Sequence, residues 1–147
     1  MNKAISAFNI RVYALIQHKK NILLSREQIK DELVYKFPGG GVELGEGIVD
    51  ALQREAKEEM GQHLNHITHF YTTDFFQRSS FDSSEQLVSV YFKASLSKDL
   101  HNRLEIPVKD QPVFEWKRLV DLNVEDLHFP IDKMVLKMIK SQQRLPV

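Results

Sequence analysis

The stretch REAKEEMG, residues 54–61, decides the reading of this chain. Its pattern predicts a helix over residues 46–60, with Gly61 as the C-terminal stop. At about 100° per residue, with Glu55 set at zero, Glu59 falls near about +40° and Glu58 near about −60°. Ile48, Ala51 and Leu52 occupy that same side, so a stripe that begins as core ends as three carboxylates. A merely solvated helix would put its glutamates opposite the apolar stripe. These also stand in the second half of the helix, where the macrodipole disfavours anions by about 0.3–1 kcal/mol each. Arg54 can offset part of this by pairing with Glu58 one turn on, whereas Lys57 points to the far side. A divalent cation would relieve the remainder. Oxygen-only ligation suits Mg²⁺ or Mn²⁺, which keep several waters and share substrate phosphates. The alternative is a solvated acidic patch.

The preceding segment, FPGGGVELGEG (residues 37–47), supplies glycines immediately before the helix. Glycine allows close approach of backbone to a ligand, and a glycine-rich loop feeding a helix is where phosphates dock on backbone N–H groups. Beside a carboxylate cluster, such a loop points to a metal–diphosphate site, with Gly40 as a candidate substrate contact.

The rest of the chain sets limits. Its 147 residues suit one domain, 1–147, able to bury a core without covalent staples. Cysteine is absent, which excludes disulfides and thiolate chemistry and leans towards a reducing compartment. Twenty basic and twenty acidic residues cancel, unlike the basic excess of a nucleic-acid binder. No signal peptide and no apolar run of about 20 residues is present, so the expectation is a cytoplasmic protein without a membrane span. Strands are expected at residues 9–17, 21–26, 33–37, 66–77, 86–96 and 112–119, with PGGG as a breaker. A closing helix is expected at 130–140, with Ile131, Met134, Val135, Met138 and Ile139 as its core stripe. The irregular alternation predicts a mixed sheet with helices on its faces, an α/β fold.

The spacing Gly40, five residues, Glu46, seven residues, Arg54-Glu55, then Glu58-Glu59 and Gly61 resembles the Nudix box at every fixed position. This is the signature of hydrolases acting on nucleoside diphosphates linked to another moiety. Two packing positions depart from it: Ala56 stands where a bulkier aliphatic residue is usual, and Gln62 where an apolar one is. The resemblance implies an α/β/α sandwich. It implies that Glu55, Glu58 and Glu59 hold metal, that the Gly39 carbonyl adds a ligand, and that Arg54 orients a box glutamate. Glu55 or Glu58 would act as general base. A further acidic ligand would come from outside the box. Asp110, Glu105, Glu115 and Glu85 are available, and the tract KDQPVFEWKRLVDLN (residues 109–123) resembles the 8-oxo-dGTP diphosphatase branch in a way that favours Asp110.

Substrate is less legible. The downstream proline of ADP-ribose hydrolases is missing, since no proline lies between Pro38 and Pro107. The coenzyme A signature is only faintly echoed, and the NADH tract is absent. The lean is to a nucleoside triphosphate pyrophosphohydrolase with a small-molecule nucleotide partner. A hydrolase of nucleotide sugars or dinucleotides, or a Nudix module that binds without cleaving, are the alternatives, and family analogy leaves a homodimer open. The resemblance to the 8-oxo-dGTP diphosphatase branch, in which a polar residue just after an FP near the end reads the base, makes Asp132 of LHFPID the candidate for that role, although a first-turn acid after Pro130 is the simpler account. Arg26 could reach phosphate or base. Phe75, Phe76 and Phe81 could stack a base, with core packing expected for at least two of them. His63, His66 and His69 match no metal motif, and Trp116 is expected in the core.

Overall fold

The structure is a computed structural model and describes residues 2–97 and 112–144. Seven strands form its sheet: β1 (Ala7–His18), β2 (Asn21–Ile29), β3 (Glu32–Lys36), β4 (Gly39–Gly41), β5 (Leu64–Thr72), β6 (Glu85–Leu96) and β7 (Val113–Arg118). Two α-helices accompany them, α1 (Ile48–Met60) between β4 and β5, and α2 (Pro130–Arg144) at the end. β1 runs parallel to β6 and antiparallel to β2 and β4, so the sheet is mixed as expected.

The alternation of β1 builds both layers. Val12, Ala14 and Ile16 pack with Ala51, Leu52 and Ala56 of α1. Tyr13 and Leu15 point the other way and pack with Ile131, Val135, Leu136 and Ile139 of α2. One strand, apolar on both faces, thus carries a helix on each side, which is the α/β/α arrangement. The α2 stripe is rotated from expectation: Asp132 and Leu136 are buried, while Met134 and Met138 are only partly so.

The PGGG segment is a strand rather than a break. Gly39, Gly40 and Gly41 pair with Tyr13, Val12 and Arg11 of β1. Crowding requires glycine at Gly39, where a Cβ would overlap the Val12 carbonyl; at Gly40 a Cβ would displace the Glu55 carboxylate from where it stands. Helix α1 starts two residues later than expected, with Gly47 as N-cap. Glu46 stays outside because its carboxylate is committed to the Glu43 N–H (2.8 Å) and to Arg54. At the far end Gly61 is left-handed (φ 65°), and Gln62 N–H returns to the Ala56 carbonyl. Gln53 then clamps the start of β5, exchanging two hydrogen bonds with Leu64 (2.8 and 2.9 Å).

Candidate active site

Arg54 organises the box. Its Nε and Nη2 grip both oxygens of Glu46 (3.0 and 2.7 Å), a bidentate pair that holds the Glu46 carboxyl down to about 2. Nη2 also donates to the Gly41 carbonyl (2.9 Å), fixing β4 against the helix. Nη1 reaches Glu55 (3.0 Å) and Glu58 (3.3 Å). One side chain therefore ties the loop acid, the glycine strand and two helix carboxylates into one body. Those ion pairs hold the guanidinium well above its ordinary range, led by the hydrogen bonds to Glu46.

Glu59 lies outside that grip. Burial pushes its carboxyl up to about 7, with Lys36 opposing the shift and Glu55 and Glu27 adding to it. Carboxylates are here brought together with too few cations, the condition a bound divalent ion corrects. Among the described residues, no three acidic or histidine side chains form a ready-made metal cage. Glu58 is turned outwards, its side chain 59% exposed against 14% for Glu55. The oxygen donors nevertheless fit a hard cation in chemistry: Glu55 and Glu59 stand one helical turn apart and repel one another, and the Gly39 carbonyl already accepts from a cation, Lys36 Nζ, at 3.4 Å.

On the α2 side of the sheet lies a cavity of about 300 Å³, at the small end of ligand pockets. Its floor comes from alternate residues of the parallel pair: Asn9, Arg11 and Tyr13 of β1, with Leu87, Ser89 and Tyr91 of β6 in register beside them. Asp132, 1% exposed, closes one end. It accepts from the Phe37 N–H (3.2 Å) and from the Tyr91 hydroxyl (2.5 Å). Burial nonetheless lifts its carboxyl to about 6. Lys36, 2% exposed, sits between the two regions, acting electrostatically on both Glu59 and Asp132. Its Nζ donates to the Phe37 and Gly39 carbonyls.

Comparison with known proteins fits this geometry. The model of the NUDIX domain matches residues 7–140. The chain belongs to the Nudix family. An 8-oxo-dGTP diphosphatase of Buchnera aphidicola (subsp. Acyrthosiphon pisum, strain APS) is 33% identical over 129 residues, 86% of this chain and 93% of that protein. Among solved structures, the MutT NUDIX hydrolase from Burkholderia pseudomallei superposes with a TM-score of 0.72 at 21% identity, covering 90% of this chain and 98% of that one. A NUDIX hydrolase from Nitrosomonas europaea gives 0.70 at 18%, covering 95% and 93%. The fold is thus that of the Nudix hydrolases, and the chain is an enzyme of the Nudix family.

The residues singled out in this Nudix hydrolase fall into three groups. Arg54, Glu55, Glu58, Glu59, Gly39 and Gly40 come together at α1 and β4. Asp132 lies across the sheet, at the cavity end. Arg26 lies elsewhere on β2, its Nη1 3.0 Å from Glu115. Asp110 and Glu105 are outside the described residues, and Glu115 is taken by Arg26 and Lys117. Among the aromatic residues, Phe75 and Phe76 are exposed at 41% and 58%, not in the core, because their segment follows the end of β5. Phe81 lines the cavity and stacks on His128. His66 and His69 are engaged separately, by Ser95 and Thr72. Trp116 is partly buried against the α1-side core.

Arg11, Lys36 and Glu27 were not anticipated. Arg11 had a visible signal, a cation inside an otherwise apolar strand and in step with Asn9 and Tyr13. Lys36 and Glu27 had none, since their surroundings depend on how β2, β3 and α1 pack.

Proposed function

We propose that this Nudix hydrolase is a metal-dependent nucleoside triphosphate pyrophosphohydrolase of the cytoplasm, taking an oxidised purine nucleotide such as 8-oxo-dGTP and releasing the monophosphate and pyrophosphate. The observation that carries this reading is the cavity ending on buried Asp132, on a chain 33% identical to an 8-oxo-dGTP diphosphatase over most of its length. The cavity has room for a base and offers it both donors and acceptors. An 8-oxopurine differs from its parent by an N–H and a carbonyl, groups a buried carboxylate and its neighbours can distinguish.

Glu55, Glu58 and Glu59, with the Gly39 carbonyl, would hold the cation, Mg²⁺ or Mn²⁺; Asp110 is the candidate ligand outside the box. When bound, the cation supplies neutralisation of the diphosphate and acidification of a water. The chain's own residues do the rest. Arg54 ties Glu55 and Glu58 to the glycine strand, which limits how far the two carboxylates must move when substrate arrives. Glu55 or Glu58 accepts the proton of the attacking water. The Gly39–Gly41 strand, lacking side chains, lets phosphate oxygens approach the backbone.

The test is turnover of a panel: the four dNTPs, 8-oxo-dGTP, 2-oxo-dATP, ADP-ribose, dinucleotides and nucleotide sugars, with Mg²⁺, Mn²⁺ or EDTA. Preference for 8-oxo-dGTP with release of pyrophosphate is expected. Preference for a sugar or dinucleotide would overturn the substrate, and binding without cleavage of any of them would overturn the reaction.

A further inference from the structure

Beside Lys36, a second cation stands between the cavity and the box, and it has no carboxylate partner among the described residues. Arg11 stands in the middle of β1, opposite Gly41 on one side and Ser89 on the other. Arg54 holds Gly41 from the box side through its carbonyl. Arg11 lies against the same glycine from the cavity side, its Nη1 3.5 Å from where a Cβ would stand. Its Nε donates to the Tyr13 hydroxyl (3.1 Å), and the guanidinium lies over the Tyr13 ring (5.8 Å). Among the described residues it has no ion pair. Glu55 and Glu27 act on it only from longer range. Among the described residues neither terminal nitrogen has a protein acceptor, and Tyr13 orients the guanidinium at the cavity wall. An arginine inside a strand, oriented by a neighbouring phenol and left without a carboxylate, is suited to an anionic ligand.

We propose that Arg11 binds the phosphoryl group that stays with the nucleoside, the one between the base in the cavity and the bond cut at the box. This rests on the reading of the cavity as the base site. It adds a substrate contact outside the box, made by the guanidinium without metal.

Arg11 can be tested without turnover. Binding of 8-oxo-dGMP, dGMP, dAMP, UMP and their matching nucleosides would be measured by calorimetry in EDTA, on wild type, Arg11→Gln and Arg11→Lys. Wild type should bind monophosphates more tightly than nucleosides. Arg11→Gln should weaken monophosphates by about 10- to 100-fold, as expected for a charge-assisted pair. Nucleoside binding and the melting temperature should hold, and Arg11→Lys should fall between. An equal loss for nucleosides and monophosphates would show that Arg11 only props Tyr13, and would overturn the proposal. So would unchanged monophosphate binding. If the phosphate effect holds for every monophosphate but 8-oxo-dGMP has no advantage, the substrate reading fails and the role of Arg11 stands.

Discussion

The two faces of the sheet carry the same amount of chemistry in different ways. On the α1 face the functional side chains come from one helix and the loop before it, at fixed spacing, and they are half-exposed. On the α2 face they come from β1, β3, β6 and α2, far apart in sequence, and they are buried. The α1 face collects negative charge that destabilises the protein alone and is useful with a cation. The α2 face satisfies its carboxylate internally, with Phe37 and Tyr91, before any ligand arrives. Substitutions should therefore act differently: costly for catalysis but not for folding among the α1-face carboxylates, and costly for both at the buried, internally bonded carboxylate of the α2 face.

The largest effect is expected at the box. Glu59→Gln and Glu58→Gln should each lower kcat/KM by about 10²-fold or more, since loss of even supporting groups around metal ligands costs about 10–100-fold. Glu59→Gln should leave the metal-free protein no less stable, because it removes a carboxylate that burial disfavours. Steady-state rates with Mg²⁺ and denaturant titration in EDTA measure the two halves. A Glu59→Gln protein that loses activity only because it unfolds would break the contrast between the faces.

Asp132→Ala should show the other behaviour. It leaves the Phe37 N–H and the Tyr91 hydroxyl buried without their acceptor, at about 1–3 kcal/mol for each group left unmade. A drop in the urea midpoint should accompany a loss of discrimination among bases, read as a change in the ratio of kcat/KM between 8-oxo-dGTP and dGTP. Asp132→Asn keeps one acceptor and should recover part of the stability. Unchanged stability in Asp132→Ala would mean that water replaces the carboxylate, and that the end of this cavity is less closed than its 1% exposure implies.

How much of this could be read beforehand follows the same division. Glu55, Glu58 and Glu59 are related by helical geometry, so local spacing reveals both their convergence and their conflict with the dipole. Gly61 announced its own stop. The glycine strand was seen as special but not as a strand, because pairing with β1 is a long-range event that glycine does not advertise. Asp132 was judged from its position after Pro130, where an acid suits a helix start. That account omits the burial, which depends on α2 turning Asp132 and Leu136 towards the sheet instead of Met134 and Met138. Lys36 sits in a short strand whose neighbours give no hint that its ammonium is enclosed. What spacing encodes was legible; what register and packing assemble was not.

Both faces carry a carboxyl whose pKa is raised, and this gives a smaller, shared effect. Glu59 is lifted to about 7 and Asp132 to about 6, both by burial first. The folded protein holds these protons more tightly than the unfolded chain, so their stabilising contribution is present below about pH 4 and is lost as pH rises through about 6–7. In EDTA, stability should therefore decline between about pH 4.5 and pH 7.5, by up to about 3 kcal/mol for Glu59. Glu59→Gln should flatten its share, and Mg²⁺ should reverse the trend by favouring the ionised form. Denaturant midpoints across that range, with and without metal, separate the two carboxyls. A metal-free protein that gains stability from pH 5 to pH 7.5 would contradict the burial of both.

The smallest effect should come from Arg26, which the sequence offers as a substrate contact. It belongs to neither site: its partner is Glu115 on β7, the strand beside it, and its side chain is 36% exposed. An ion pair in that setting contributes about 0–1 kcal/mol. Arg26→Ala should shift the urea midpoint within that range and leave kcat/KM within about twofold of wild type, because sites without shared partners usually act independently to within about 0.3–0.5 kcal/mol. Arg11→Ala, also a strand arginine but one without a carboxylate, should do the reverse and raise KM with little change in stability. If the two variants behaved alike, the distinction between a strand arginine that is paired and one that is not would have no functional meaning in this fold.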